Sequence, residues 1–154
     1  MEYDAPVRRI VAAWKERGLR RLAAWAAGVV AEVVARPAAE CLVFVPPDLD
    51  RRLRRGHHPA EQLTRELGGA WDRDVQPLLV RVRGSPRQRA LTRAERRRNV
   101  ATAFHATGPA PRSLTLVDDV YTTGATANAA ASALRKAGAR NVEIVTFART
   151  IRIR

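Results

Sequence analysis

The stretch from Ser113 to Ala148 restricts the fold more than any other part of the chain. It reads "SLTLV", then "DDVYTTGAT", then an alanine-rich run from Ala127 to Ala137 ended by Gly138, then "NVEIVTFA". The two apolar, β-rich runs are short enough for buried strands. The run between them suits a helix that stops at glycine. Strand, loop, helix and strand within about 35 residues make a βαβ unit, which requires a parallel sheet with a crossover helix.

The rest of the chain fits one α/β domain over residues 1–154, a length that can bury a real core. Val7 to Val34 has helical spacing in Val7, Ile10, Val11 and Trp14, and again in Leu22, Trp25, Val29 and Val33. Gly18 breaks or kinks it, and Arg36-Pro37 ends it. "CLVFVPP" from Cys41 is a buried strand feeding a loop, Asp48 to Gly56. Pro59 to Leu67 is expected to be helical and to close at Gly68-Gly69. Val75 to Val82 is a second strand candidate interrupted by Pro77. Arg83 to Arg98 lacks an apolar stripe and reads as a mobile arm. The arm can carry one helix, from Thr92 to Phe104, with Thr92 and Glu95 at capping-box spacing.

Composition narrows the function classes. The apolar fraction of 46% is that of a globular protein. No run approaches the ~18 apolar residues of a membrane span, and the N-terminus lacks a signal-peptide layout, so a soluble, cytoplasmic protein is expected. The single cysteine, Cys41, allows no internal disulfide and no cysteine-rich zinc site, and reads as a buried small hydrophobe. The net charge is +13, and 26 of the 28 basic residues are arginines. Residues 51–100 hold fourteen arginines against five acids, so most of the excess lies in one third of the chain. Such a field attracts polyanions, either a pyrophosphate or a nucleic acid.

"LTLVDDVYTTGAT" carries the chemistry. A strand delivers two acids, Asp118 and Asp119, to its carboxyl end, the edge where ligands bind in open α/β sheets. Thr122, Thr123, Gly124, Ala125 and Thr126 then lead into a helix. A turn of small hydroxylated residues around glycine exposes backbone N–H groups and aims a helix N-terminus at its ligand, which is a phosphate cradle. Acids beside such a cradle imply a ligand with hydroxyls or a bound Mg²⁺ at one end and phosphate at the other, as in a ribose 5-phosphate.

At these residues the sequence resembles the type I phosphoribosyltransferase signature of four mostly aliphatic residues, two acids and Thr-Thr-Gly-x-Thr. Thr115 and Tyr121 stand where aliphatic residues are more usual. A narrower resemblance, to the ComF family of competence-associated proteins, spans nearly the whole chain. It rests on "YDAPVRRIVAAWKERG", "VPPDLDRRLRRGHHPAEQL", "SPRQRALTRAERRRNVATAF" and the phosphate motif. Two departures stand out. The four-cysteine zinc module with which family members commonly begin is absent from this sequence, and His57-His58-Pro59 replaces the usual Phe-Asn-Gln.

The resemblance implies a type I phosphoribosyltransferase-like fold, a central parallel sheet flanked by helices with no N-terminal zinc module. It implies 5-phosphoribosyl-1-pyrophosphate (PRPP) or a related ribose phosphate as ligand. Mg²⁺ would be carried with PRPP near Asp118 and Asp119 rather than held by a dedicated protein site. The acid pair would hold the ribose hydroxyls, and residues 122–126 would wrap the 5-phosphate. Arg51 and Arg55 would supply cations for pyrophosphate. Gln88, Arg96 and Asn99 would belong to an arm folding over the substrate. Lys15 falls where the family has a lysine; it could reach a phosphate, though a plain surface lysine is the simpler reading. His57 and His58, adjacent and without other ligands, do not read as a metal site. Trp14, Trp25 and Trp71 suit apolar faces better than base stacking. Single-stranded DNA or another nucleic acid is the second partner class, and a homodimer is allowed.

Overall fold

In the computed structural model, residues 1–47, 56–82 and 103–151 are described. Four strands form a parallel sheet in the order β2-β1-β5-β6. They are β1 (Cys41–Phe44), β2 (Asp74–Val75), β5 (Ser113–Tyr121) and β6 (Asn141–Arg149). An antiparallel ribbon of β3 (Leu79–Arg81) and β4 (Phe104–Ala106) stands apart from it.

Helices α1 (Ala5–Arg17), α2 (Leu22–Val33) and α3 (Pro59–Trp71) cover one face of the sheet. Helix α4 (Ala125–Lys136) and the ribbon cover the other. The strands alternate as a sheet buried on both faces must. Leu42 and Val117 pack with Trp14, Leu63, Leu67 and Phe147, whereas Val43 and Leu116 pack with Leu79, Phe104 and Leu134. The β5–α4–β6 segment is the expected βαβ unit, and the architecture is the expected α/β one.

Local chemistry explains the helix ends. The Asp4 carboxylate accepts from the Val7 amide at 2.9 Å to start α1, and Gly18, at φ 65°, ends it in the left-handed region that glycine tolerates. This is the break expected between the two N-terminal helices. Trp14 and Trp71 are buried. Trp25 is 44% exposed and meets Phe147 edge-on, so it is only partly a core residue.

Several expected boundaries are corrected. Helix α3 does not close at Gly68-Gly69 but runs through both to Trp71, with Asp72 taking the left-handed cap at φ 50°. A Cβ on Gly68 would lie 2.9 Å from the Arg73 carbonyl oxygen and 2.8 Å from Val75 Cγ2, so that glycine permits close approach rather than a stop. The strand expected over Val75 to Val82 is two strands in different sheets, divided around Pro77. Phe104 opens β4, so the helix expected to reach it does not; the rest of that expected helix, and the arm, lie outside the described residues. Strand β5 continues through the acids to Tyr121, because β6 is equally long and pairs with it as far as Tyr121 with Arg149. Helix α4 starts at Ala125, two residues earlier than expected.

Candidate functional site

Parallel strands end at one edge of the sheet, and here the ends of β1 and β5 lie side by side, the Val45 amide donating to the Val117 carbonyl at 3.0 Å. A cleft of about 270 Å³ opens at that edge. Its floor carries Asp118, Asp119 and Thr122, and the β1 side contributes Val45 to Pro47. His58 to Ala60, at the start of α3, and Thr126, in the first turn of α4, form two further walls. Lys15, from α1, and Arg81, from β3, bring positive charge to the rim.

The two acids are consecutive on a strand, so their side chains leave opposite faces of the sheet. Asp119 is buried and forms an ion pair with Lys15, Nζ to Oδ1 at 2.7 Å across 104 positions of sequence. The Lys15 side chain is only 23% exposed, so it is not the plain surface lysine of the simpler reading. The Asp118 carboxylate accepts from the Asp119 amide at 2.9 Å. Burial pushes the Asp118 carboxyl up to about 7, and the neighbouring Asp119 charge pushes the same way. The amide bond and the Lys15 and Arg81 charges oppose the shift in part.

The turn after β5 is set by Gly124, whose φ of 76° makes it the N-cap of α4. A Cβ there would overlap the Tyr121 hydroxyl and come within 2.6 Å of the ring carbon bearing it. Tyr121, unusual for the signature, is therefore the ring on which the turn closes. Gly124 brings no side-chain cap. The Thr123 hydroxyl accepts from the Ala125 amide at 3.3 Å, and the first ladder bond runs from the Asn128 amide to the Gly124 carbonyl at 2.8 Å. The amides of Thr126 and Ala127 fall before the helix ladder begins, which is the donor set a phosphate takes. Thr115, the other unusual residue, is fully buried, its hydroxyl 3.5 Å from a Glu143 carboxylate oxygen.

Of the expected site residues, the structure brings Asp118, Asp119, Thr122, Thr126 and Lys15 to one cleft, with Thr123, Gly124 and Ala125 forming the turn beside it. Arg51, Arg55, Gln88, Arg96 and Asn99 lie outside the described residues. Sequence reasoning missed Arg81, which lies over the Phe104 ring at 5.2 Å and reaches the same rim. Its alternation with Val80 and Val82 next to the arginine-rich segment was the available signal.

His57 Nε2 lies 2.9 Å from the Trp14 carbonyl oxygen, and His58 Nδ1 accepts from the Glu61 amide at 3.1 Å as the N-cap of α3. Both histidines thus have structural duties. Cys41 is fully buried, and burial raises its thiol to about 11, in keeping with a packing role. Among the described residues no group of three or more His, Cys, Asp or Glu side chains could hold a metal ion, and no helix is long and apolar enough to cross a membrane. One or two carboxylates facing a phosphate cradle do fit a Mg²⁺ that arrives on a substrate's own phosphates.

No family model matches the chain. It is 32% identical over 141 residues to competence protein F of Haemophilus influenzae, covering 88% of this chain and 62% of that protein. It is 33% identical over 120 residues to the DNA utilization protein YhgH of Salmonella typhi, covering 75% of this chain and 52% of the relative. The YhgH protein of Escherichia coli K12 is 33% identical over 115 residues, 71% of this chain and 49% of its own length. The chain thus spans about half to three fifths of these relatives. Among solved structures, a glutamine PRPP amidotransferase from B. subtilis, complexed with ADP and GMP, superposes with a TM-score of 0.59 at 18% identity, over 83% of this chain and 26% of that one. A second, described as the allosteric regulatory enzyme of purine biosynthesis, gives 0.59 at 19% identity over the same shares. The fold is the type I phosphoribosyltransferase one.

Proposed function

We propose that the chain, a relative of competence protein F and the YhgH proteins, is a ComF-family protein that binds Mg²⁺-loaded PRPP at the edge formed by β5 and α4. The observation that carries this reading is the juxtaposition of Asp118 and Asp119 with a glycine-capped helix N-terminus in one cleft. The acids suit sugar hydroxyls, which donate to carboxylates. The helix terminus and the Thr122, Thr123 and Thr126 hydroxyls suit a phosphate. A ribose 5-phosphate offers both kinds of group in one molecule, hydroxyls on the ring and phosphate on C5.

Catalysis in such a site is the transfer of the ribosyl C1 from pyrophosphate to a nucleophile. The C1–O bond breaks with its electron pair leaving on pyrophosphate, and positive charge develops on the sugar ring. Asp118 and Asp119 would orient the ribose and offset that charge, and residues 122–126 would anchor the far end so that C1 stays in place. Arg51 and Arg55 are our candidates for the pyrophosphate, since the guanidinium fork matches phosphate oxygens, and Arg81 at the rim can join them. Gln88, Arg96 and Asn99 are our candidates for the covering arm. The nucleophile is not specified by the residues.

Calorimetric titration of PRPP with Mg²⁺ into the wild type and into Asp118→Asn/Asp119→Asn tests the reading. Saturable binding that the double variant weakens at least about a hundredfold is expected, since several charge-assisted hydrogen bonds are lost together. Absence of binding by folded wild type at moderate salt would overturn it.

A second reading has its own support. The names of the relatives concern competence and DNA utilization, and residues 51–100 carry a surplus of nine positive charges. In that reading the basic segment binds single-stranded DNA and the cleft senses a ribose phosphate. Its test is the salt dependence of oligonucleotide binding, steep if several phosphates are neutralised and flat if none is.

A further inference from the structure

The acid pair is not symmetrical, and the asymmetry originates in α1. Lys15 reaches across from the N-terminal helix to Asp119 at 2.7 Å, with both side chains largely withdrawn from solvent. Among the described residues Asp118 forms no ion pair; its carboxylate accepts from the amide of the next residue, and Lys15 and Arg81 act on it only through space. Two adjacent carboxylates turned toward a phosphate cradle would repel the phosphate they are meant to serve. One internal cation placed on one of them removes half of that opposing charge and fixes that carboxylate's orientation, since a charged hydrogen bond in a half-buried wall is strongly directional.

Resting on the ribose-phosphate reading above, we propose that Lys15 is a positioning residue for the sugar site, acting through Asp119 rather than on the phosphate. Lys15 holds Asp119 turned toward α1, so that one Asp119 oxygen is committed to the lysine and the other is left to accept from a sugar hydroxyl. Asp118 has one oxygen on the Asp119 amide and the other left for a second hydroxyl. The site therefore recognises a vicinal diol with two acids of unlike surroundings, and the N-terminal helix becomes part of the ligand site instead of a scaffold behind it. Loss of the lysine leaves Asp119 without its ion-pair partner and without a fixed direction.

The test is a double-mutant cycle read by ribose 5-phosphate affinity in wild type, Lys15→Met, Asp119→Asn and the double variant, with Lys15→Arg as the conservative variant. Methionine keeps the length and packing of the side chain, and thermal melts establish that each variant is folded. Lys15→Met should weaken ribose 5-phosphate at least about tenfold, because it strips a buried carboxylate of its partner. It should change affinity less than about twofold once Asp119 is asparagine, and Lys15→Arg should recover most of the loss. Equal losses in both backgrounds would mean that Lys15 meets the ligand or the fold directly, and would overturn the proposal. So would an unaltered affinity in Lys15→Met. Where Asp119→Asn binds too weakly to titrate, wild type, Lys15→Met and Lys15→Arg are compared on inorganic phosphate, which feels the charge but has no sugar hydroxyls: a loss clearly smaller than that for ribose 5-phosphate supports the proposal, and a loss matching or exceeding it overturns it. Wild type that binds no ribose phosphate at all overturns the reading of the site together with this role, whereas wild-type binding with an indifferent Lys15 overturns the role alone.

Discussion

Two strands of the sheet end at the cleft and each leads to a helix, but the two helix starts are finished differently. Helix α3 begins behind a long connection and satisfies itself. His58 takes the Glu61 amide, Pro59 has no amide to offer, and the Gln62 amide returns to the His58 carbonyl at 3.0 Å. Helix α4 begins only three residues after β5, behind a glycine that brings no side-chain cap. The lesson is that a helix N-terminus becomes a binding feature when its own sequence declines to cap it. The α4 start has the donors for an anion, and the α3 start has used the protein's own groups to close itself.

The strongest way to break that comparison is to put a side chain where α4 begins. Gly124→Val combines a left-handed φ of 76° with overlap of the Tyr121 ring, so the turn must rebuild. We expect a loss of about 2–4 kcal/mol in unfolding free energy, by urea titration, and no measurable PRPP binding. Gly56→Ala is the matched change at the α3 side, with φ 63° but nothing within 4 Å of the new Cβ. It should cost only about 1 kcal/mol, from the backbone conformation alone. Equal costs at the two glycines would mean that Tyr121 is not the constraint at the α4 turn.

Removing caps gives a smaller contrast of the same kind. His58→Ala should lower stability by about 1 kcal/mol, the usual worth of an N-cap, and somewhat more if the edge-on contact with Phe44 at 5.4 Å contributes. Thr123→Val takes away only a long 3.3 Å bond to the Ala125 amide and should cost about 0.5 kcal/mol or less in melts. If the phosphate is held at α4, the same Thr123→Val should weaken PRPP by about tenfold in calorimetry, an effect on binding out of proportion to its effect on stability.

The α4 side was legible in the sequence because everything it needs is contiguous. Asp118 to Thr126 lie in one run, and the glycine and threonines of the turn announce a helix start. The rest of the cleft is assembled from a distance. Lys15 is 104 positions from Asp119, and nothing in "AAWKERG" says which acid it will meet. Arg81 depends on a ribbon whose second strand begins at Phe104, a residue that the sequence pattern assigns to a helix but whose partner in space is a strand. Gly68-Gly69 misled for a related reason. Gly68 lets Arg73 and Val75 pass close to α3, a tertiary fact that overrides the local stop signal. The same holds for β5, whose length was set by its neighbour β6 and not by where its own apolar run ends.

The subtlest difference lies inside the acid pair, and pH can reach it. Asp118 holds its proton more tightly in the folded chain than in the unfolded one, where its carboxyl returns to about 3.8 from about 7. The folded state therefore binds more protons between those two values, and the wild type must lose stability as pH rises through that window and level off above it. Asparagine at 118 removes the titrating group while keeping an acceptor for the Asp119 amide. The melting temperature of Asp118→Asn relative to wild type should thus climb from about pH 4 to pH 7 and stay constant beyond, a trend read from melts in matched buffers. Because the Asp118 side chain is half-buried and Lys15 and Arg81 stand near, the climb should be modest, smaller than any effect above. A difference that ignores pH would mean that burial beside Asp119 does not raise the Asp118 carboxyl.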